Sequence, residues 1–208
     1  MFYLVRTPWW LKRYYSRLIW RIPAREKVLY LSFDDGPHPV ATPFILDELK
    51  KFGAKACFFC IGKNVQAHPQ LYKRVLAEGH RVGNHTQDHL NGWKVPDDEY
   101  FNSVRQAARY IDSDLFRPPY GRITAFQSAH LRAAPSSFKI IMWDVLSADF
   151  DRSLSAEKCA RNVIRHARPG SIIVFHDSEK AFERLQGALP RVLQHFTDLG
   201  YRFDAIRL

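Results

Sequence analysis

Cysteine is scarce in this 208-residue chain. The three present, Cys57, Cys60 and Cys159, are odd in number and too few for a disulfide framework. Cys57 and Cys60 have the C-x-x-C spacing of a redox or metal pair, but they sit in AKACFFCIG, which reads as a buried strand. Three positions apart on a strand, they would lie about 10 Å apart and face opposite sides, so both are expected in the core. Long apolar runs are also lacking. No stretch reaches the roughly 18 residues that a membrane-crossing helix needs. The start, MFYLVRTPWWLKRYYSRLIWRIP, does not read as an export signal: Lys12, Arg13, Arg17 and Arg21 break every apolar stretch, and no small-residue cleavage site follows. These absences lead to the expectation of a cytoplasmic protein or one peripheral to a membrane. Repeats and low-complexity tracts are absent, which removes solenoid architectures.

Positive charge is in excess, with 31 Lys and Arg against 21 Asp and Glu, a net charge of +10. The cations are scattered, and dense only in the first 25 residues. That pattern reads as solvation and not as a specific nucleic-acid face. Residues 1–25 form a basic, aromatic segment, and residues 26–208 form one domain of ordinary size. Between Pro8 and Pro23, WWLKRYYSRLIWRI has the pattern of an amphipathic helix, which would pack across one end of the fold or rest weakly on a membrane surface.

After Arg25 the chain alternates. Strands are expected at KVLYLSF, AKACFFCIG, HRVGNH, FKIIMWDV, SIIVFHD and YRFDAI. Helices are expected at residues 41–52, 68–78, 97–111, 155–167 and 180–199. Almost wholly apolar strands alternating with helices predict parallel strands covered on their faces. An irregular α/β barrel is favoured over an open sheet, and function in such a barrel sits in the loops at the C-terminal ends of the strands.

Five clusters fall at such ends. Asp34-Asp35-Gly36-Pro37 follows the first strand. Adjacent residues point in different directions, so one carboxylate can hold a metal while the other faces a substrate. Spacing alone does not say which. His85 and His89, at i and i+4, would meet on one face of a helical turn and suit a divalent ion of the zinc type. A carboxylate from another strand end would complete a three-residue site with open positions. Arg117, in Phe116-Arg117-Pro118-Pro119-Tyr120-Gly121, precedes two prolines that stiffen its loop. The stretch from Trp143 to Phe150 carries Asp149. His176 closes an apolar strand, and a nearby acid would fix its tautomer and raise its pKa.

In this order, SFDDGP, HTQDH, RPPYG, the Asp149 segment and VFHDS resemble the five motifs of the polysaccharide deacetylases, the NodB homology domain of carbohydrate esterase family 4. The likeness spans roughly residues 28–205. It implies a distorted (β/α) barrel of about seven strands, with residues 26–208 as the deacetylase domain. It implies one divalent metal, usually zinc with cobalt or nickel as alternatives, held by Asp35, His85 and His89. Asp34 would be the base that takes a proton from the attacking water, with Arg117 orienting it. The Tyr120 backbone N–H would stabilise the oxyanion, and His176, tuned by Asp149, would protonate the leaving amine. Phe150, Pro119 and Trp143 would line the substrate groove. Three positions depart from the family pattern: Leu146 stands where the fourth motif usually has its first acid, Phe150 where it has Trp, and Val174 where the fifth motif often has Leu. The implied function is removal of acetyl groups from N-acetylated, or O-acetylated, carbohydrate. Hydrolysis of other non-peptide C–N bonds in small amides, and a non-catalytic glycan-binding role, are the alternatives.

Overall fold

The computed structural model describes residues 3–208; Met1 and Phe2, the start of the 1–25 segment, lie outside the described residues. Eight strands form one all-parallel sheet: β1 (Val28–Asp34), β2 (Ala56–Cys60), β3 (Arg81–Asn84), β4 (Leu115–Phe116), β5 (Lys139–Ile140), β6 (Val145–Leu146), β7 (Ile172–His176) and β8 (Arg202–Phe203). Seven follow one another in the order β5-β4-β3-β2-β1-β7-β6, and β8 pairs with the start of β1. The helices are α1 (Trp9–Tyr14), α2 (Ala41–Lys51), α3 (Gly62–Ala67), α4 (Pro69–Ala77), α5 (Asp97–Ala107), α6 (Ala125–Arg132), α7 (Ala156–His166) and α8 (Glu179–Asp198). The fold is α/β, a curled, barrel-like parallel sheet wrapped by helices.

Both faces of the central strands are covered, which is why β2 is apolar throughout and wholly buried. Its alternation separates two cores. Phe58 and Cys60 pack outward with Leu31 and Phe33 of β1, Ile45 and Leu49 of α2, and Leu189 and Val192 of α8. Cys57 and Phe59 pack inward with Ile141, Ile172 and Ile206. Cys57 and Cys60 therefore sit on opposite faces, free and buried, and burial pushes the Cys57 thiol up to about 11.

FKIIMWDV, expected as one strand, divides into β5 and β6 at opposite ends of the sheet order. The intervening backbone crosses the gap between them, and the N-terminal segment fills that gap. Ile19 bridges Ile141, and Arg6 bridges Val145. The Met142 N–H donates to the Ile19 carbonyl (2.7 Å), the Thr7 N–H to that of Asp144 (3.0 Å) and the Leu146 N–H to that of Val5 (2.8 Å). These bonds satisfy backbone groups that an open seam would leave bare. They also explain why the expected helix between Pro8 and Pro23 ends at Tyr14: Leu18–Ile22 extends to pair with the seam. Three short elements escaped the sequence pattern, namely β4, α3 and α6. The last had a legible start, since Thr124 and Gln127 form a capping box.

Gly170 marks where the segment leaves the sheet. Its φ is +84°, and a Cβ there would fall 1.9 Å from the Ile22 carbonyl oxygen. Gly170→Ala is therefore expected to cost about 1–3 kcal/mol, at roughly 2–4 °C of Tm per kcal/mol. An unchanged thermal midpoint would contradict the close approach.

Candidate active site

The five clusters converge at the C-terminal ends of the strands, as a parallel curled sheet requires. Asp34 ends β1 and is the register partner of His176, which ends β7. Both line a cleft of ≈ 610 Å³ that also receives Asp35, His85, His89 and Tyr120.

Asp35, His85 and His89 each offer one ligand atom, and these atoms lie within 4.8 Å of one another. Asp35 Oδ1 is 3.2 Å from His89 Nε2 and 3.7 Å from His85 Nε2. It is buried and accepts no hydrogen bond. A buried carboxylate oxygen without a donor, facing two imidazole nitrogens, is a costly arrangement that a cation would satisfy. The residues therefore fit a divalent ion. Burial alone would raise the Asp35 carboxyl, but the facing His89, and the charges that His176 and His85 carry at the low pH where a carboxyl titrates, hold it well below the usual range. Burial pushes His85 down to about 4, against the pull of Asp34, so its imidazole is neutral at pH 7. His85 Nδ1 lies 2.7 Å from the Arg117 carbonyl. With Nδ1–H donating there, Nε2 keeps its lone pair toward the site, the usual orientation of a ligating histidine. His89 Nδ1 is 3.1 Å from the Tyr120 hydroxyl.

The two histidines do not meet across a helical turn. The chain from Thr86 to His89 is a loop, with φ of 65° at Thr86 and 58° at His89. Asp35 (84°), Tyr120 (59°) and Ala148 (65°) are left-handed as well, so among the described residues five of the six non-glycine residues with positive φ lie in the loops around this cleft. Strain concentrated in that way is a mark of sites whose geometry is over-determined by their surroundings.

Arg117 is fully buried. Its Nη1 donates to Asp34 Oδ1 (2.6 Å) and Ser32 Oγ (2.8 Å), Nε to the Ile141 carbonyl (3.1 Å) and Nη2 to that of Met142 (3.1 Å). The guanidinium lies 4.0 Å from the centre of the Phe59 ring. Opposite it in the order of motifs, His176 Nδ1 is 2.7 Å from Asp149 Oδ1, while the His176 backbone N–H donates to Oδ2 (2.8 Å). Burial would lower the His176 pKa, but the Asp149 charge and hydrogen bond outweigh it and raise it from 6.5 to about 9. The imidazolium form therefore prevails at neutral pH, with Nδ1–H fixed on Asp149.

Phe150 and Trp143 line the cleft, and the Phe150 ring stands edge-on to His176 at 5.3 Å. Pro119 is buried in the turn beneath Tyr120 and is not part of the lining. Leu146, in place of an acid, and Val174 add apolar wall. Sequence reasoning missed three supporting residues. Asp177 accepts from the Gly36 N–H (2.9 Å) and from Thr42 Oγ1 (2.7 Å), which pins the loop carrying Asp35; its place beside His176 was the available signal. Arg184 of α8 donates through Nε to the Asp149 carbonyl (2.7 Å). Tyr3 donates to Asp151 (2.6 Å) and packs edge-on against Phe150, a contact that nothing in the local sequence announces.

Residues 21–135 match the family model described as polysaccharide deacetylase. A peptidoglycan-N-acetylglucosamine deacetylase of Bacillus cereus is 33% identical over 193 residues, covering 90% of this chain and 90% of that protein. A chitooligosaccharide deacetylase of a Bradyrhizobium strain is 35% identical over 156 residues, 72% of this chain and 70% of its own. Among solved structures, that of a peptidoglycan N-acetylglucosamine deacetylase superposes with a TM-score of 0.85 at 33% identity, covering 96% of this chain and 95% of the other.

The His176–Asp149 pair yields a pH prediction. A histidine raised to about 9 contributes stability that is full below its ordinary 6.5 and fades as the pH rises through 9. In metal-free protein, the His176 ring signals followed by NMR should titrate near 9. In Asp149→Asn they should fall by roughly two units or more. A midpoint that stays near 9 in the variant would show that Asp149 is not the cause.

Proposed function

The chain belongs to the polysaccharide deacetylase family, and from that premise we propose that it removes the acetyl group from N-acetylglucosamine units of a peptidoglycan-type glycan. At the level of reaction class it is a hydrolase that cleaves a carbon–nitrogen amide bond in acetylated carbohydrate. The observation that carries the finer reading is the pairing of Asp34, held by Arg117, with His176, held by Asp149, as register neighbours in one cleft.

In this reading Asp35, His85 and His89 hold one divalent ion, zinc by the character of two imidazoles and a carboxylate. When bound there, the ion lowers the pKa of a water molecule and polarises the acetyl carbonyl. Asp34 takes a proton from the attacking water, and Arg117 fixes the direction of its free oxygen. The Tyr120 backbone N–H faces the developing oxyanion. His176, already protonated at neutral pH, gives its proton to the departing amine, so that the amide and one water become acetate and a free amino sugar. Phe150 and Trp143 supply apolar surface for the acetyl methyl and the sugar face. Pro119 serves only by stiffening the turn that presents Tyr120. No described helix is long and apolar enough to cross a bilayer.

Acetate release from N-acetylglucosamine oligomers, peptidoglycan and acetylated xylan, with zinc, cobalt, nickel or no metal added, tests the reaction and the metal together. Activity is expected on the first two substrates and only with metal. Release from xylan alone would replace the amide reading with an ester one. Asp34→Asn should lower kcat by about 10²–10⁴-fold while metal content stays near one per chain. His85→Ala should lose metal and activity together. Loss of metal from the Asp34 variant would overturn the division of labour between the two aspartates.

A further inference from the structure

A second pocket, of ≈ 440 Å³, lies beside the cleft, and Thr7 lines both. Its walls carry Arg6, Lys12, Arg21 and Arg168 against one carboxylate, Asp144. That carboxylate is already engaged: Lys12 pairs with one oxygen, and Ser171 Oγ donates to the other (2.6 Å). Arg21 donates to the Pro169 carbonyl (3.1 Å from Nε). Among the described residues, no carboxylate pairs with Arg6, Arg21 or Arg168, whereas Arg74, Arg81, Arg191 and Arg202 all have one. Three exposed guanidiniums thus share a pocket without a counter-charge. Their mutual repulsion is small in water and tolerable, and an anionic partner would turn it into attraction.

Helix α1 stands at the edge of this pocket and buries none of its residues. Trp9 is 76% exposed, Trp10 57% and Tyr14 79%, and Trp9 also forms a pocket wall. Exposed aromatic rings gathered in six residues mark an interaction surface more than a solvated one. Rings with one polar edge beside a cluster of arginines are the composition that settles at the headgroup level of a bilayer. Single-stranded nucleic acid also combines cations with aromatic rings, but along a groove that tracks its backbone. Here the rings stand on a short exposed helix, and only Trp9 borders the pocket.

We propose that this face docks on an anionic lipid bilayer, with Trp9, Trp10 and Tyr14 at the headgroup level and Arg6, Arg21 and Arg168 holding lipid phosphates. Tyr3, Leu4 and Leu11 of the same segment line the catalytic cleft, so docking sets the mouth of the cleft beside the membrane. That consequence rests on the deacetylase reading and narrows it: the acetylated glycan is met at a lipid surface.

Co-sedimentation of the full chain with phosphatidylcholine vesicles, and with vesicles in which a third of the lipid is phosphatidylglycerol, tests the proposal without recourse to activity. The protein should sediment with the anionic vesicles alone and be released by salt. Removing Arg6 and Arg168 (Arg6→Gln, Arg168→Gln) should weaken partitioning by about fivefold per cation. The double variant Trp9→Ala, Trp10→Ala should weaken it by roughly tenfold or more. All these variants should release acetate from a short soluble oligosaccharide at the unaltered rate. If they lose vesicle binding and keep that activity, docking is supported and separated from the chemistry. Vesicle binding by a chain that releases no acetate would support docking while removing the deacetylase reading. Equal binding to neutral vesicles, or none to either, overturns the proposal. So does displacement by duplex DNA with Trp9 and Trp10 dispensable, or a dimer in solution that dissociates when those two residues are replaced.

Discussion

Arg117 is the group on which the rest of the site depends. A guanidinium taken wholly out of water carries a desolvation penalty of several kcal/mol, and the chain offsets it by surrounding the fork completely. One carboxylate, one hydroxyl and two backbone carbonyls accept its protons, and the Phe59 ring covers a face. These partners come from β1, β2 and the backbone that follows β5. The side chain therefore ties the inside of the curl together while it aims Asp34. Its own carbonyl receives His85, so one residue sets the direction of the Asp34 carboxylate and of the His85 ring. Lysine could not replace it, since a single ammonium lacks the planar fork that reaches four acceptors.

The same economy recurs across the cleft. Asp149 binds both the ring and the backbone of His176, and Arg184 holds the carbonyl of Asp149 in turn. Asp177 anchors the Gly36 turn, where a Cβ would fall 1.8 Å from its carboxylate oxygen. Asp34, His85 and His176 are thus each held by a buried polar neighbour, Arg117 or Asp149, that is itself satisfied. Half-made networks would be more costly than an apolar core.

Much of this was legible from residue order. The apolar strands β2 and β7 had to be buried on both faces, so helices had to cover them, and a parallel sheet followed. Asp34, Asp35, His85, His89, Arg117, Asp149 and His176 could be picked out because they stand at strand ends, where a parallel sheet opens toward solvent. Two readings failed for a physical reason. The i, i+4 spacing of His85 and His89 suggested a helical turn, but the site needs the rings brought together by left-handed residues, which spacing does not encode. FKIIMWDV has the composition of one strand, yet its middle is taken up in crossing a seam whose existence depends on how far the sheet curls.

The sequence by itself determined the alternation of elements, the chemical inventory of the cleft and the face on which that inventory would gather, because these follow from periodicity and from residue type. Only the tertiary structure decided which neighbour holds which group. The pairing of Arg117 with Asp34, the orphaned Asp35 oxygen between two imidazoles, and the N-terminal segment stitched into the gap between β5 and β6 all join residues far apart in the chain. Their partners are selected by desolvation and backbone hydrogen bonding in three dimensions, for which a linear pattern carries no signal.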